Sequence, residues 1–491
     1  MRAQRPAVKR TAHRLLPDSR RVITKPFLPG EEIFSNGKSR VKVILERILG
    51  LSDAEATTLL AGLLEEFGSR HRNYQEVLEK SFERIAHHLG AEQNPSEERR
   101  LLIGAYFTHE FSIEATALFN PSVVRAPDQS GAQRGELRFI MSARAVGEGH
   151  LSSIEFRTGT LNTEGDVTVD PVTPFATKGH RRTPVYNKQL FSAKLAEMGA
   201  DKTVISRTLN PLPDEFDYDQ LMESVTKNSG RGSRSPETVR LIHWLASSNY
   251  VVSFPRDSNI DERVIFPAGP TESQGMEDAR FVRFIDDDGS VVYYATYTAF
   301  NGVAVLPQIL ETRDFLTFRI ATLNGSCAQN KGMALFPRRL NGRFAMLSRQ
   351  DSENIYLTTS ENIRHWDEAE KLNLPARAWT LIQGGNCGSP IETEDGWLVL
   401  THGVGPMRRY SIGAMLLDLD HPQTVIAHLP EPILAPEQGE RDGYVPNVVY
   451  SCGSLVHEDH LMMPYGFSDY GIAIATLSLS ELLDTLKENP V

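Results

Sequence analysis

From about residue 115 onwards, the sequence is dominated by short segments with β-strand patterning, separated by Gly, Pro, Asn and Asp. Strands are predicted at residues 139–143, 153–158, 291–297, 344–347, 354–358, 397–401, 411–417, 461–465 and 471–475. Turn sequences at residues 286–289, 341–342 and 394–396 predict hairpins. Many short strands at this spacing are typical of an all-β sandwich, barrel or propeller, and their number favours a propeller.

Two regions have helical patterning, one before the β-patterned part of the chain and one within it. Residues 40–110 predict a helical N-terminal domain with helix starts near Ser52 and Ser96. Residues 175–250 predict a helical insertion, with helices at 188–198, 218–226 and 237–245 and a flexible basic stretch at 229–234. Without the insertion, roughly 300 β-patterned residues remain, enough for five four-stranded blades of ~60 residues. We therefore expect a mainly β protein: a five-bladed β-propeller over residues 111–491 that carries the insertion and follows the helical domain.

The N-terminal segment, residues 1–39, is expected to be a mobile basic tail. It is rich in Arg but lacks the apolar run of a secretory signal, so a cytoplasmic location is predicted. The pair Arg20-Arg21 leaves a twin-arginine or organellar address open, although no apolar run follows it. The cysteines Cys327, Cys387 and Cys452 are far apart and have no metal-site spacing, which favours reduced thiols.

The formal net charge of −11 argues against a nucleic-acid partner, because that function needs a basic face. No stretch approaches the ~20 consecutive apolar residues that cross a bilayer, so no membrane partner is predicted. A pocket for a small anion remains compatible with this charge. No metal or organic cofactor is indicated.

The run Gly275 to Arg280 concentrates two carboxylates and a guanidinium before a strand-like segment. We expect the acids to lie on a loop that leads into this strand. Glu277 and Asp278 are adjacent, so on extended backbone they should point to opposite faces, with Asp278 and Arg280 on the same side. Taken alone, the motif favours a solvated turn whose Arg caps or pairs with its neighbours, and only the other motifs shift the balance towards catalysis.

Further polar clusters occur in a fixed order along the chain, and together with the first they resemble the mannoside phosphorylases and mannosidases of glycoside hydrolase family 130. The resemblance covers about residues 110–480 apart from the insertion. It is carried by the motifs FNPS from Phe119, SARA from Ser142, GMEDAR from Gly275, YYATYTA from Tyr293, NKGMALFP from Asn330, RRLNGRFAMLSRQ from Arg338, GGNCGSPI from Gly384, DGWLVLTHGV from Asp395, SIGAMLLDLDHP from Ser411 and MPYGFSD from Met463.

The resemblance implies a five-bladed propeller with an axial sugar site. It implies that Asp278 is the general acid, which passes a proton to the glycosidic oxygen directly or through a substrate hydroxyl. The other residues expected to bind the sugar are Asn120, Arg144, Glu277, Arg280, His402 and Asp469. The residues expected to bind phosphate, as a co-substrate, are Arg313, Lys331, Ser348 and Arg349.

Cleavage of a glycosidic bond needs a proton donor at the leaving oxygen and a nucleophile on the opposite sugar face. When phosphate is the nucleophile, the protein supplies cations and no second catalytic carboxylate is needed. We therefore predict inverting phosphorolysis of β-mannosides to α-mannose 1-phosphate. Ser348 departs from a His-Arg pair that many family phosphorylases carry, and it can donate a hydrogen bond but cannot carry charge.

Two alternatives stay open. Inverting hydrolysis needs a carboxylate base about 6.5–9.5 Å from the acid, and the candidates are Asp351, Glu353, Glu392, Glu262 and Glu272. A carbohydrate-binding propeller without turnover is the other alternative. The helical domain and the insertion are hypothesised to cap the channel or to build a homo-oligomer interface.

Overall fold

The computed structural model describes residues 6–30, 39–90, 92–228 and 236–491. The stretch at 229–234, for which we predict flexibility, lies outside these described residues. The helices within them are α1 (Arg40–Leu49), α2 (Asp53–Phe67), α3 (Tyr74–Ile85), α4 (Glu97–Tyr106), α5 (Lys188–Glu197), α6 (Lys202–Leu209), α7 (Tyr218–Asn228), α8 (Pro236–Ser248) and α9 (Leu479–Lys487).

The strands of the first half are β1 (Lys9–Leu15), β2 (Val22–Pro26), β3 (Thr108–Ser112), β4 (Ala117–Arg125), β5 (Leu137–Val146), β6 (Ser152–Leu161), β7 (Val167–Val169), β8 (Thr177–Lys178), β9 (His180–Arg182), β10 (Tyr186–Asn187), β11 (Glu215–Phe216), β12 (Tyr250–Ser253) and β13 (Arg263–Val264).

Those of the second half are β14 (Gly275–Ile285), β15 (Val291–Phe300), β16 (Val305–Thr312), β17 (Thr317–Thr322), β18 (Ala334–Leu335), β19 (Phe344–Ser348), β20 (Tyr356–Ser360), β21 (Glu368–Lys371), β22 (Gln383–Asn386), β23 (Ile391–Thr393), β24 (Gly396–Gly405), β25 (Arg409–Leu417), β26 (Val425–His428), β27 (Val449–Tyr450), β28 (Leu455–His457), β29 (His460–Phe467) and β30 (Gly471–Ser478). The protein is mainly β, as predicted.

Most strands form antiparallel meanders of sequential neighbours, which we number one to five along the chain. They comprise β4–β7, β14–β17, β18–β21, β22–β26 and β27–β30. The first two share a sheet through one parallel residue pair, Gly275 with Ser152. Strands β12 and β9 extend the second meander beyond β17.

Hydrophobic clusters join these meanders face to face in cyclic order. One cluster contains Ile140 and Phe281 of meanders one and two, and another contains Phe284 and Met346 of two and three. Separate clusters join three to four, four to five, and five back to one. Each meander is therefore apolar on both faces, and one face packs against each neighbour. In β14, for example, Phe281 faces meander one and Phe284 faces meander three, because successive side chains of a strand point to opposite sides.

Within residues 6–30, the described part of the N-terminal segment, two strands stand where the sequence predicts a mobile tail. Strand β1 pairs antiparallel with β30, from Lys9 opposite Thr476 to Leu15 opposite Ile472. One of its basic residues, Arg10, forms ion pairs with Glu437 at 2.6 Å and with buried Glu440 at 3.3 Å. The strand thereby adds a further edge to the fifth meander, and the Arg-rich composition alone gave no sign of that pairing.

Strands β2 and β3 pair from Val22 opposite Ser112 to Pro26 opposite Thr108, so residues 27–107 leave and re-enter the fold at neighbouring positions. Within that stretch, Ser52 forms the expected capping box with Glu55 at the start of α2, and Ser96 caps α4. Helices α1–α4 contribute to a hydrophobic cluster of their own. Helices α5–α8 do the same around Leu195 and Ile242. Within the described ranges, no helix combines the length and apolarity needed to cross a bilayer.

Candidate active site

Asp278 lies inside strand β14, at a β-bulge. The pairing of β14 with β15 shifts register between Glu277 and Arg280, and Asp278 adopts the left-handed conformation with φ of 54°. A bulge inserts an extra residue and redirects the neighbouring side chains. The expectation of a loop is therefore wrong, and so is the expectation that Glu277 and Asp278 point to opposite faces. Both carboxylates reach the same guanidinium.

Asn120 meets Asp278 from a second bulge, in β4. The register of β4 with β5 shifts between Phe119 and Ser122, and Asn120 has φ of 49°. Its Nδ2 donates to Oδ1 of Asp278 at 2.7 Å. Two residues later, Ser122 Oγ accepts the backbone N–H of Phe281 at 3.0 Å, which fixes β4 against β14. The two bulges thus hold the amide and the acid together, and strain of this kind is concentrated at functional sites.

Arg144 and Lys331 surround the two acids. Arg144 Nη2 donates to Glu277 Oε1 at 2.9 Å, and its Nη1 lies 3.7 Å from Asp278 Oδ1. Lys331 Nζ contacts Glu277 Oε2 at 2.6 Å. Glu277 therefore bridges two cations from separate meanders, and Asp278 lies within their field.

Burial would by itself raise the pKa of Asp278. The positive charges of Arg144, Arg280 and Lys331, together with the hydrogen bond from Asn120, outweigh burial and leave that pKa below its ordinary value. Asp278 is consequently ionised in the unliganded site. A ligand that neutralises these cations would shift its pKa upwards.

Asp469 is a further titratable group of the site, and the charge of Asp278 acts on it. Burial, reinforced by the negative charge of Asp278 and opposed by Arg144, raises the pKa of Asp469 to about 6. Ser468 and Asp469 have φ values of 50° and 48°, so a third left-handed stretch presents this side chain. Two carboxylates with pKa values pushed apart are a recurring feature of sites that move protons.

Arg280 is buried, with all of its hydrogen-bonding nitrogens engaged by protein. Nε donates to the Cys387 carbonyl at 3.1 Å, Nη1 to the Asp278 carbonyl at 3.0 Å, and Nη2 to the Tyr450 hydroxyl at 2.7 Å. This guanidinium joins three segments beneath the acid. Arg280 thus holds the backbone of Asp278 in place, and its predicted contact with substrate stays a prediction.

Arg349 and His402 form a second buried pair. Arg349 Nη1 donates to His402 Nε2 at 3.0 Å, and Nη2 donates to the Ser352 carbonyl at 3.2 Å. Burial, and then the charges of Arg349 and Arg280, lower the pKa of His402 well below its ordinary value. His402 is therefore neutral, accepts at Nε2, and orients Arg349. The predicted contact of His402 with the sugar stays a prediction, since its buried Nδ1 has no hydrogen-bond partner among the described residues.

Glycines allow Arg349 to lie close to Lys331. A Cβ at Gly385 would lie 2.6 Å from Arg349 Cδ and 2.5 Å from His402 Cε1. A Cβ at Gly332, the residue after Lys331, would lie 3.4 Å from Arg349 Cδ. The loop that carries Lys331 therefore packs on the aliphatic part of Arg349, and a shared phosphate site for these two residues stays a prediction.

Several buried polar atoms of this cluster have no hydrogen-bond partner among the described residues. They are Asn120 Oδ1, Arg144 Nε, Ser348 Oγ and Arg349 Nε. Buried polar groups are normally paired, so unpaired ones call for an explanation. Hydroxyl groups of a sugar and oxygens of phosphate would satisfy both the acceptor and the donors.

Arg313 does not belong to the site. It is exposed at the turn after β16, where Nη1 donates to the Val291 carbonyl at 3.3 Å. Val291 starts β15, whereas Thr296 of the same strand pairs with Arg280. At about 3.3 Å per residue, this separates Arg313 from the acid by roughly 15 Å along the sheet. The prediction that Arg313 binds phosphate is wrong because the residue lies at the opposite end of the meander.

The carboxylates considered as bases for hydrolysis are mostly committed elsewhere. Glu262 pairs with Arg72 at 2.7 Å, and Glu392 pairs with Arg338 at 2.6 Å. Buried Glu272 accepts hydrogen bonds from the hydroxyls of Tyr250 and Tyr297.

The other two candidates lie near the end of β19. Asp351 closes its own turn by accepting hydrogen bonds from the backbone N–H groups of Glu353 and Asn354. The last candidate, Glu353, borders a cavity of about 300 Å³ that also reaches His402.

Sequence reasoning missed Tyr450, Ser122 and Gly385. The Tyr450 ring lies 4.9 Å from that of His402 and its hydroxyl holds Arg280, but it stands in an ordinary strand sequence that offers no signal. Ser122 and Gly385 do lie within the quoted motifs, where their roles in strand docking and in close packing could have been suspected. Among the described residues, no group of three or more His, Cys, Asp or Glu side chains could hold a metal ion.

Comparison with known proteins gives a consistent result. Residues 242–488 match the model of glycoside hydrolase family 130, described as beta-1,4-mannooligosaccharide phosphorylase. A 1,2-beta-oligomannan phosphorylase from Thermoanaerobacter sp. is 33% identical over 235 residues, which cover 45% of this chain and 75% of the relative. A beta-1,2-mannobiose phosphorylase from Listeria innocua is 30% identical over 267 residues, covering 52% and 73%.

A solved structure of the Listeria innocua beta-1,2-mannobiose phosphorylase, in complex with beta-1,2-mannobiose, aligns with 77% of this chain and 94% of that chain. The identity is 22% and the TM-score is 0.46. The family match includes Asp278, Lys331, Arg349 and Asp469, whereas Asn120 and Arg144 precede it.

Proposed function

This chain belongs to glycoside hydrolase family 130, and we propose that it is an inverting phosphorylase of β-mannosides. Inorganic phosphate cleaves the β-mannosidic bond of a mannooligosaccharide, and the products are α-mannose 1-phosphate and the shortened sugar. The observation that carries the proposal is that Arg144 and Lys331 surround Asp278 and its neighbour Glu277, while Arg349 packs against the loop that carries Lys331. An acid and a cation cluster are what phosphorolysis requires of the protein.

The bond changes follow from the geometry of inversion. A phosphate oxygen forms the new bond to C1 from the α face while the β-linked oxygen leaves from the opposite face. The proton passes from Asp278 to the leaving oxygen, directly or through a substrate hydroxyl. Lys331 and Arg349 hold the phosphate, and Ser348 offers its unpaired hydroxyl as a further donor.

Phosphate would also prepare the acid. In the unliganded site, cations keep the pKa of Asp278 low, which does not suit a proton donor. A bound phosphate dianion neutralises Lys331 and its neighbours and adds negative charge close to Asp278. Both effects raise the Asp278 pKa, so the acid becomes protonated when the nucleophile is in position.

Asn120, Arg144 and Asp469 are proposed to hold the terminal mannose. Asn120 and Arg144 already contact the acid, and their unpaired Oδ1 and Nε atoms are suited to sugar hydroxyls. Asp469 with a pKa of about 6 can accept or donate a hydrogen bond near neutral pH. The sugar would then lie directly over the proton donor.

The decisive assay supplies β-1,2- and β-1,4-mannobiose to the enzyme with and without inorganic phosphate. With phosphate, we expect α-mannose 1-phosphate together with an equal amount of mannose from the reducing end. Without phosphate, we expect little free mannose. Release of mannose at the same rate without phosphate would establish hydrolysis instead. Binding without product in either condition would establish a carbohydrate-binding protein.

We further propose that the five meanders are the blades of a five-bladed β-propeller. Support comes from the cyclic order of the hydrophobic clusters, which join each meander to the next and the fifth to the first. The helical stretches within 40–110 and 175–250 would then be additions to this ring. A crystal structure with a different number of blades would contradict the proposal.

A reducing location, the cytoplasm, is proposed from the cysteines. Cys327, Cys387 and Cys452 are buried free thiols. Burial raises the pKa of Cys387 to about 12, which keeps it protonated and unreactive. Alkylation of the denatured protein followed by mass spectrometry should find three free thiols, and a disulfide would contradict this location.

A further inference from the structure

A second polar cavity lies far from Asp278, between helix α3 and the β fold. Its volume is about 250 Å³, and its wall is formed by β2, by the residues around α3 from His71 to Arg84, by the segment 176–180 and by Pro255. The cavity therefore spans the helical segment, the strand that precedes it, and the stretch that leads into the helical insertion. None of the residues assigned to sugar or phosphate above lines it.

Positive side chains dominate this cavity. Lys25, Arg72, Lys80, Arg84 and Lys178 line it, whereas Glu76 is the one carboxylate among its described lining residues. Two of the cations are neutralised, because Arg72 pairs with Glu262 at 2.7 Å and Lys80 pairs with Glu76 at 2.6 Å.

The other three cations, Lys25, Arg84 and Lys178, have no carboxylate partner within the described residues. By exposed surface area, Lys178 and Arg84 lie at the open rim of the cavity and Lys25 is half-buried. Desolvation, and then the charges of Arg84 and Lys25, lower the pKa of Lys178, so both neighbouring cations repel it. The chain as a whole has a net charge of −11, so three cations without a carboxylate partner among the described residues form a local positive region. An anion between the three side chains would relieve the repulsion.

We propose that this cavity is a binding site for a phosphoryl dianion, carried by a small phosphorylated metabolite or present as free phosphate. Three converging cations match a group that carries about two negative charges and three acceptor oxygens near neutral pH. The volume exceeds that of a single anion and accommodates a small organic portion as well. The proposal is independent of the catalytic assignment, because no residue is shared.

The site is partly preorganised. The Lys25 ammonium lies over the rings of Phe111 and Phe266, at 4.2 and 5.2 Å from their centroids, so its position is fixed by packing. The backbone of Lys178 is fixed by the parallel pairing of β8 with β13. Arg84 lies in the last turn of α3, which is anchored to the β fold by Arg72 just before the helix. The positions from which the three cations enter the cavity are therefore set by the fold, whereas the exposed side chains of Lys178 and Arg84 become ordered only on binding.

Calorimetry of the full-length protein tests this site. Because the catalytic site is also expected to bind phosphate, the titration uses the Lys331→Gln/Arg349→Gln double variant as background. The probes are inorganic phosphate and glycerol 3-phosphate, with glycerol as the uncharged control, because a mannose derivative would also bind the sugar site. We expect one saturable site for at least one of the two phosphorylated probes and none for glycerol. Tighter binding of glycerol 3-phosphate than of inorganic phosphate would identify an ester as the ligand, and the reverse would identify free phosphate.

Variants within the cavity provide the matched comparison. Arg84→Gln or Lys178→Gln in the same background should weaken binding about tenfold, the typical effect of one charge-assisted contact. The double variant Lys80→Gln/Glu76→Gln removes an ion pair of zero net charge from the same cavity, so it should change affinity much less. The proposal is overturned if no phosphorylated probe saturates a site below roughly 10 mM, or if Lys80→Gln/Glu76→Gln weakens binding as much as Lys178→Gln. Thermal unfolding of each variant checks that the fold is intact.

Discussion

At the scale of single residues, the site depends on the left-handed backbone conformation, which residues other than Gly, Asn and Asp adopt with difficulty. Asn120, Asp278 and Asp469 all have positive φ. Asn and Asp are the non-glycine residues that tolerate this region best. The motifs predicted which side chains meet, including Asn120, Arg144, Asp278 and Lys331. They could not predict the bulges, because a bulge is set by the pairing of two strands distant in sequence.

Replacement of Asp278 by Asn should abolish turnover while the protein remains folded. The amide has nearly the same shape and can still accept the hydrogen bond from Asn120, but it cannot deliver a proton. We expect kcat to fall by a factor of about a thousand, within the range usual for loss of a general acid. Phosphorolysis of mannobiose and thermal unfolding would be measured in parallel.

Glu392→Gln is a matched control for this change, since Glu392 is an exposed carboxylate paired with Arg338 outside the site. It should retain full activity. If Asp278→Asn kept more than a small fraction of wild-type turnover, Asp278 would lose the acid role.

The raised pKa of Asp469 should be visible in stability. Its pKa of about 6 in the folded state exceeds the ordinary value of 3.8, so the folded state binds more protons between these two values. Stability from this group is complete below the lower value and is lost as the pH rises through 6. Relative to Asp469→Asn, the wild-type free energy of unfolding should therefore fall by about 2 kcal/mol between pH 4.5 and 7.

Urea unfolding of both proteins across this range measures the difference, and groups that titrate equally in both cancel. A difference that is constant with pH would mean that Asp469 has an ordinary pKa.

At the scale of elements, the position of Arg349 depends on the close approach of strands β22 and β24. Gly385 and Gly384 are neighbours in β22, yet a side chain at each would meet different surroundings. At Gly385 a Cβ would lie 2.6 Å from Arg349 Cδ, whereas at Gly384 its nearest atom would be the His402 carbonyl oxygen at 3.8 Å. The first distance requires movement, and the second is ordinary contact.

Gly385→Ala should therefore displace Arg349 and His402 and weaken phosphate binding, whereas Gly384→Ala should not. We expect the KM for phosphate to rise about tenfold in Gly385→Ala, equivalent to the loss of one charge-assisted contact. The KM for mannobiose should change less. Equal kinetic constants for the two variants would remove Arg349 from the phosphate site.

The sequence predicted the elements unevenly, for physical reasons. Strands such as β15 and β24 follow clear alternating or apolar patterns, and helices α2 and α4 begin at strong caps, so both kinds were located correctly. Helix α6 was missed because it is short, with few apolar residues to set a period. Strand β1 was taken for a tail, because its partner β30 lies more than 450 residues away and its own composition is basic.

At the scale of the whole molecule, the candidate active site draws on residues from Asn120 to Asp469, but on none from the helical segment 27–107. The segment begins after Pro26 in β2 and ends before Thr108 in β3, and these two residues are paired with each other. Paired residues on antiparallel strands lie only about 5 Å apart at Cα, so a short turn can replace everything between them. A cut near residue 110 would be a poorer experiment, because it would also remove β1 from the fifth meander.

We therefore predict the outcome of replacing residues 27–107 with a short Gly-Ser linker. Loss of Arg72 would leave buried Glu262 without its partner, so the variant should also carry Glu262→Gln. It should fold and cleave mannobiose at close to the wild-type rate, because every catalytic contact described above is retained. If the helical segment caps the site, longer mannooligosaccharides should gain in kcat/KM relative to mannobiose. If it builds an oligomer interface, the mass measured by light scattering should drop. An unchanged substrate range and mass would refute both roles, and loss of mannobiose cleavage in a folded variant would mean that the helical segment itself supports the acid.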